Sequence, residues 1–341
     1  MRVVLTNRWA SQPLHIGRAV VRAGGRTAPL TFRGEGSTSI PEGRDLTSDP
    51  VDMPLLAGTP IDVDLHLPGP TDLVTGNISV STWRQSVAGD HCGAAAFPAD
   101  GAPVLTLPDG TSVPAPTPVL RSVEIYRGSD VSVVVCLGDS ITAAGWPERS
   151  AQRLDGSRVA VVNRGIAGNR LRLDGAGPFG GFFGTAGVKR FDYDVLATAG
   201  RTHVVIALGT NDLGHPGGVA PSAELPAAAE LISELDATSS RARSAGLGVF
   251  LATITPFLPA DGYDAQRDAT RSVVNEWIRD QHPRAAVIDF DTALRSDDVP
   301  TRLDPQYDSG DHLHPNDAGV DRMADAAAAA IATELGLPCP S

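Results

Sequence analysis

Val131-Ser-Val-Val-Val-Cys-Leu-Gly-Asp-Ser-Ile-Thr142 is a run of β-branched and apolar residues that stops abruptly at Gly138-Asp139-Ser140. It shows no in–out alternation. An unbroken apolar run predicts a strand covered on both faces, as in a parallel sheet. Gly138 permits a sharp exit from such a strand. The next stretch, Trp146-Pro-Glu-Arg-Ser-Ala-Gln-Arg-Leu154, reads as a helix, with Pro147 suited to its first turn. Strand, tight turn, serine and helix put the Ser140 hydroxyl at the carboxyl end of a parallel strand, where open α/β sheets hold ligands. A lone Gly-Asp-Ser fits a helix-capping serine as well, so the weight falls on the rest of the chain.

Apolar runs recur downstream, at Val159–Asn163, His203–Leu208, Gly248–Ile254 and Ala286–Phe290. Helical patterns occupy Ser222–Ala245, Ala265–Gln281 and Asn316–Leu335. In the first of these, Leu225, Ala228, Ile232 and Leu235 keep a 3-4-3 spacing, and Gly246 supplies a stop. Strands alternating with helices predict a parallel sheet with helices on both faces. Five such strands predict an α/β fold of the flavodoxin-like, doubly wound kind.

Upstream the texture differs. Arg2–Thr6, Ala19–Arg22, Leu30–Phe32 and Leu73–Thr75 are short strand-like runs between Gly, Pro, Asn and Asp breakers. Ile61-Asp-Val-Asp-Leu-His-Leu67 alternates strictly, the pattern of a strand covering a core on one side. Its other face, Asp62, Asp64 and His66, reads as solvated; as metal ligands the three lack a fourth nearby. These features predict an all-β sandwich of jelly-roll type. Ser122–Tyr126 alternates like one more strand of it, so the boundary falls within Arg127–Asp130. Residues 1–128 are expected to form the β domain and residues 129–341 the α/β domain.

A length of 341 residues suits two domains. The net charge of -12 opposes a nucleic-acid or anionic-membrane surface, which would need a basic patch. No apolar run reaches membrane-spanning length. The start, Met1–Arg8, is too short and polar for a signal peptide, so either the protein stays inside or an export segment is missing. The spacing of Cys92, Cys136 and Cys339 matches no zinc pattern. Cys136 lies in the buried strand. Cys92 and Cys339 sit in loop-like contexts and could pair in an oxidising compartment, with two free thiols the simpler expectation.

In a doubly wound sheet the segments after each strand converge on one rim. Here they carry Ser140, then Asn163–Arg170, then Gly209-Thr-Asn-Asp212, then Asp311-His-Leu-His-Pro315. A serine nucleophile needs a base, and the base an orienting carboxylate. His314 and Asp311 can supply these, since one helical turn would bring residues three apart together. His312 is a rival base and Asp308 a rival orienter. Acyl transfer also needs oxyanion donors. Candidates are the Ser140 and Gly168 N–H groups and the Asn211 side chain, although Gly168 also fits a plain turn and Asn211 a backbone tie. The Gly-rich stretch Gly175–Gly187, with Phe179, Phe182 and Phe183, reads either as a mobile wall of an acyl pocket or as a surface insertion. Asn169 and Phe257, which follow strands on the same rim, are further candidate pocket residues.

The blocks Gly138-Asp-Ser140, Gly168 with Asn169, Gly209-x-Asn-Asp212 and Asp311-x-x-His314 resemble the four signature blocks of the SGNH (GDSL) hydrolases over roughly residues 131–335. Ile141 stands where the family name has Leu. The whole chain, with Phe191-Asp-Tyr-Asp194 before the third of the expected parallel strands and a β region in front, resembles bacterial GDSL-type esterases that carry an N-terminal jelly-roll domain, most of them exported. The resemblance implies a Ser140–His314–Asp311 triad, with Gly168 and Asn211 as oxyanion donors. It implies no metal or cofactor. It further implies a serine esterase acting on small acyl esters, carbohydrate esters among them. An acyltransferase using the same triad with an alcohol acceptor is the alternative. So is an inactive carbohydrate-binding or adhesive protein, which the intact triad and the absence of an aromatic sugar platform oppose.

Overall fold

The structure is a computed structural model. It describes the chain apart from residues 57, 72–75, 78–82, 102–103, 107–109, 111, 116, 129, 282 and 339–341. The strand expected at 73–75 and the cysteine at 339 lie outside the described residues. The chain falls into two compact units, Met1–Gly128 and Ser129–Ser341.

In the first unit every strand pairing among the described residues is antiparallel. Leu120–Glu124, Arg2–Thr6 and Asp45–Thr47 form one three-stranded sheet, and Arg26–Pro29, Arg18–Ala23 and Ile61–His66 another. Leu14–Ile16 pairs with Thr38–Ile40. Val3, Leu5, Ile16, Val21, Leu30 and Ile40 from these strands and the turns between them meet in one core. The unit is therefore all-β. The polar face of Ile61–His66 is less solvated than its alternation predicts. The loop at Asp90–Ala94 folds onto it: the Gly93 N–H donates to Asp64 at 2.8 Å, and Arg22 bonds both Asp64 at 3.1 Å and the Ala94 carbonyl at 3.3 Å. Asp64 is thus engaged in an ion pair. Among the described residues no cluster of three or more His, Cys, Asp or Glu could hold a metal ion. Cys92 is buried in this loop, and burial pushes its thiol up to about 12.

The second unit is a five-stranded, wholly parallel sheet of β1 (Ser132–Gly138), β2 (Val159–Gly165), β3 (His203–Ala207), β4 (Gly248–Ala252) and β5 (Ala286–Ile288). Its spatial order is β2-β1-β3-β4-β5, the flavodoxin-like order. The apolar runs of the sequence make two cores because successive side chains point to opposite faces. Val135, Leu137, Val204, Ile206, Val249 and Leu251 face one way. They pack on α6 (Ala228–Ser244) and α7 (Ala265–Arg279) through Leu231, Leu235, Val274 and Ile278. Val134, Cys136, Val205, Phe250 and Ala252 face the other. There they meet Trp146 of α2 (Trp146–Arg153) and the small residues Ala324, Ala327 and Ala328 of α8 (Asp317–Glu334).

The helix expected over Ser222–Ala245 begins later. Ser222–Glu224 forms a separate short turn, and Glu230 closes the start of α6 by accepting the Ala227 N–H at 2.8 Å. Gly138 lies in register with Gly165 on one side and Ala207 on the other, so β1, β2 and β3 end at one level. The strand order reverses between β1 and β3, which is where such sheets open a ligand crevice. Among the described residues no helix is long and apolar enough to cross a membrane.

Candidate active site

The turn after β1 leads into the single helical turn α1 (Ser140–Ala143). Asp139, not Ser140, caps it: the Asp139 carboxylate accepts the Ile141 N–H at 3.0 Å. A capping aspartate leaves the adjacent serine hydroxyl free for another partner. The backbone of α1 rests on Gly165, where a Cβ would lie 2.4 Å from the Ala143 nitrogen. Glycine is required there for β2 to pass. Ile141 is buried in the core beneath.

The structure brings Ser140, His314 and Asp311 together. Ser140 Oγ lies 2.8 Å from His314 Nε2, and His314 Nδ1 lies 2.6 Å from Asp311 Oδ2. The pairing of Asp311 with His314 does not use the helical turn that their spacing suggested. The segment is a tight loop in which Asp311 Oδ1 accepts the backbone N–H groups of Leu313 at 3.0 Å and His314 at 2.8 Å. Burial alone would raise the Asp311 pKa. The His314 ring and these N–H groups outweigh it and hold the carboxyl well below the usual carboxylate range. The rival residues form a pair of their own: His312 Nδ1 lies 2.6 Å from Asp308 Oδ2, half-exposed, with His312 held at φ +65°.

Gly168 has φ +70°, in the region that favours glycine, and its Cα is covered by the Phe183 ring, which a Cβ would strike at 1.9 Å. Phe183 is in turn held by Phe179, stacked at 5.5 Å, and by the His215 ring at 4.7 Å. Phe182 meets Phe183 edge-on at 6.0 Å. These rings lie on or beside α3 (Gly180–Phe183). Burial, assisted by the nearby Arg170 charge, lowers the pKa of His215 to about 4, so this imidazole is neutral at neutral pH.

Asn211, buried at the start of α5 (Thr210–Gly214), donates from Nδ2 to the Asn169 carbonyl at 3.0 Å. The side chain therefore bridges the third block to the second and does not tie its own turn. A primary amide has two N–H donors, so this bond leaves one over. Asp212 continues the tie by accepting the N–H groups of Leu171 at 2.7 Å and Arg172 at 3.0 Å. Burial raises Asp212 and Asp139 to about 6 each, against the hydrogen bonds they accept.

Two candidate pocket residues are placed elsewhere. Asn169 is fully buried. Its Nδ2 donates to the carbonyls of Phe183 and Thr185, both at 2.8 Å, and its Oδ1 accepts from Arg190 at 3.0 Å. With its amide spent on backbone and Arg190, it holds the loop and does not line a pocket. Phe257 is also fully buried, packed on Tyr263 and under Arg271. Residues that the sequence reading passed over are Asp139, Asp212, Arg190 and His215. The first two stand inside the motifs already singled out, where a cap and a loop tie were the available roles.

The family model of the GDSL-like lipase/acylhydrolase family matches residues 136–322. A comparison with curated proteins gives no match. Among solved structures the chain is similar to a protein of the G-D-S-L family from Desulfitobacterium hafniense. The two are 23% identical, with 58% of this chain and 98% of that one covered and a TM-score of 0.44. It is also similar to the acetylxylan esterase Axe2 from Geobacillus stearothermophilus (20% identity, 64% and 99% covered, TM-score 0.47). A third likeness is to the carbohydrate acetylesterase Est24 from Sinorhizobium meliloti (17% identity, 60% and 99% covered, TM-score 0.46). With more than half of its length matched by the family model, the chain belongs to the GDSL-like lipase/acylhydrolase family and is a carboxylic ester hydrolase.

Proposed function

We propose that the chain is a serine esterase that cleaves small acyl esters through an acyl-enzyme on Ser140, with residues 129–341 as the catalytic domain and residues 1–128 as an accessory jelly-roll domain. The observation that carries the reading is the relay of contacts from Ser140 Oγ to His314 Nε2 at 2.8 Å and from His314 Nδ1 to Asp311 at 2.6 Å. In this reading His314 takes the Ser140 proton as Oγ attacks the ester carbonyl. Asp311, kept ionised by its hydrogen bonds, fixes the ring tautomer and stabilises the imidazolium. The negative charge formed on the carbonyl oxygen falls to the Ser140 and Gly168 N–H groups and the remaining Asn211 N–H. His314 then returns the proton to the departing alcohol. Water attacks the acyl-enzyme by the same route and frees the acid. The Phe183 ring over Gly168 supports a short acyl group, since it occupies space beside the proposed oxyanion donor.

The test is turnover of chromogenic esters of increasing acyl length by the full chain and by Ser140→Ala. Hydrolysis should be greatest for acetate and fall with chain length. Ser140→Ala should lose about 10⁴-fold or more, because no other group replaces the nucleophile. Retained turnover in Ser140→Ala would sink the mechanism; a preference for long chains would sink the substrate class.

A further inference from the structure

Arg190 lies in the last turn of α4 (Gly187–Phe191), and its side chain is almost wholly buried. A guanidinium inside a core is costly unless its donors are matched. Here four of the five N–H groups have partners. Nη2 donates to the Gly138 carbonyl at 2.8 Å, and Nη1 to the Arg164 carbonyl at 2.8 Å. Nε donates to Asn169 Oδ1 at 3.0 Å, and Nη1 also to Asp194 at 2.7 Å, which supplies the counter-charge.

The partners are not spread at random. Gly138 is the last residue of β1, two before Ser140, and its carbonyl also accepts the Ile166 N–H at 3.1 Å. Arg164 is at the end of β2. Asn169 adjoins Gly168, its carbonyl accepts from Asn211, and its amide holds the carbonyls of Phe183 and Thr185. One rigid planar fork thus reaches the nucleophile turn and the Gly168 block at once, and through Asn169 the Asn211 side chain. Lysine, a point donor on a flexible stem, cannot span these positions together.

We propose that Arg190 is a positioning residue that holds the Ser140 turn in register with the Gly168 and Asn211 donors. The proposal rests on the reading of Ser140 as nucleophile and of those groups as oxyanion donors. Arg190 itself does not meet the substrate. It acts by fixing backbone that does, so its loss should slow the chemical step and leave ester binding little changed.

The experiment compares the full wild-type chain with Arg190→Lys and with the doubly substituted Arg190→Gln, Asp194→Asn. The second variant removes both members of the buried pair, so no isolated charge is left behind to unfold the core. Each is titrated with a fluorophosphonate, and kcat and KM for a chromogenic acetate ester are expressed per titrated site. The expected result is a kcat loss of about 10²-fold, the scale of a misplacement near 1 Å, with KM little changed and Arg190→Lys the less impaired. Wild-type kcat per titrated site in a variant with a lowered melting midpoint would overturn the proposal and leave Arg190 a core residue only. Loss of the fold in both variants would overturn it too. A wild-type chain that neither labels at Ser140 nor turns over would instead remove the underlying reading, which the variants alone could not do.

Discussion

Each of two histidines two positions apart has its own carboxylate, yet only one of them reaches Ser140. His314 Nε2 is at hydrogen-bond distance from the serine, while His312 pairs with Asp308 on a half-exposed loop. His314→Ala should therefore lose nearly as much turnover as Ser140→Ala, about 10⁴-fold or more, and His312→Ala should keep most of it. Exchange of the two results in a steady-state assay would move the base to His312. Asn211 makes a different kind of claim. One N–H of its amide holds the Asn169 carbonyl, and the other is the proposed oxyanion donor. Asn211→Ala should therefore lower both the melting midpoint and the per-site turnover, the latter by about 10²–10³-fold. A midpoint loss with unchanged turnover of the folded fraction would leave Asn211 only its tie between blocks.

At the scale of elements, the sheet could be read from sequence because a strand buried on both faces leaves an unbroken apolar run, as Val131–Leu137 does. The ends of elements were less legible. Glu230 at the start of α6 moves the helix beyond Leu225, and the Asp311 loop closes by carboxylate–amide bonds where helical spacing was expected. The candidate site was legible where the chemistry needs particular atoms, as with serine, histidine and carboxylate. It was not legible where direction decides. Asn169 and Phe257 both follow strands on the right rim, but their side chains turn inward, and no local pattern encodes that. Arg190 gives little signal in sequence, since two of its four partners are backbone carbonyls and no motif marks the other two, both side chains, as its partners.

The aromatic cluster around α3 offers a test that owes nothing to catalysis. His215 is held neutral, with burial and then Arg170 lowering its pKa from 6.5 to about 4. The unfolded chain therefore binds a proton that the folded chain refuses between those values. Its contribution to stability is present above about pH 6.5 and is lost as pH falls towards 4. His215→Phe keeps a ring against Phe183 and removes the proton. The difference in melting midpoint between variant and wild type should thus shift in favour of the variant between pH 7.5 and pH 5. A difference that stays constant across that range would mean that His215 titrates normally in the fold.

At the scale of the whole molecule, stability is divided among cores that share no residue. Leu5 is fully buried in the all-β unit, and Leu137 is fully buried on one face of the parallel sheet. Each unit has its own strand pairing. Chains of this kind depart from two-state unfolding because each domain melts by itself. Calorimetry of the intact chain should then resolve two transitions. Leu5→Ala and Leu137→Ala remove the same atoms from different cores, and each should cost about 2–5 kcal/mol from lost transfer energy and the cavity left behind. The expectation is that each substitution lowers one transition and leaves the other in place. Esterase activity after heating should follow the transition that Leu137→Ala lowers, because Ser140 stands at the end of the strand that carries Leu137. A single transition that both substitutions shift equally would show that the two units unfold as one cooperative body, and the accessory role proposed for residues 1–128 would become a structural one.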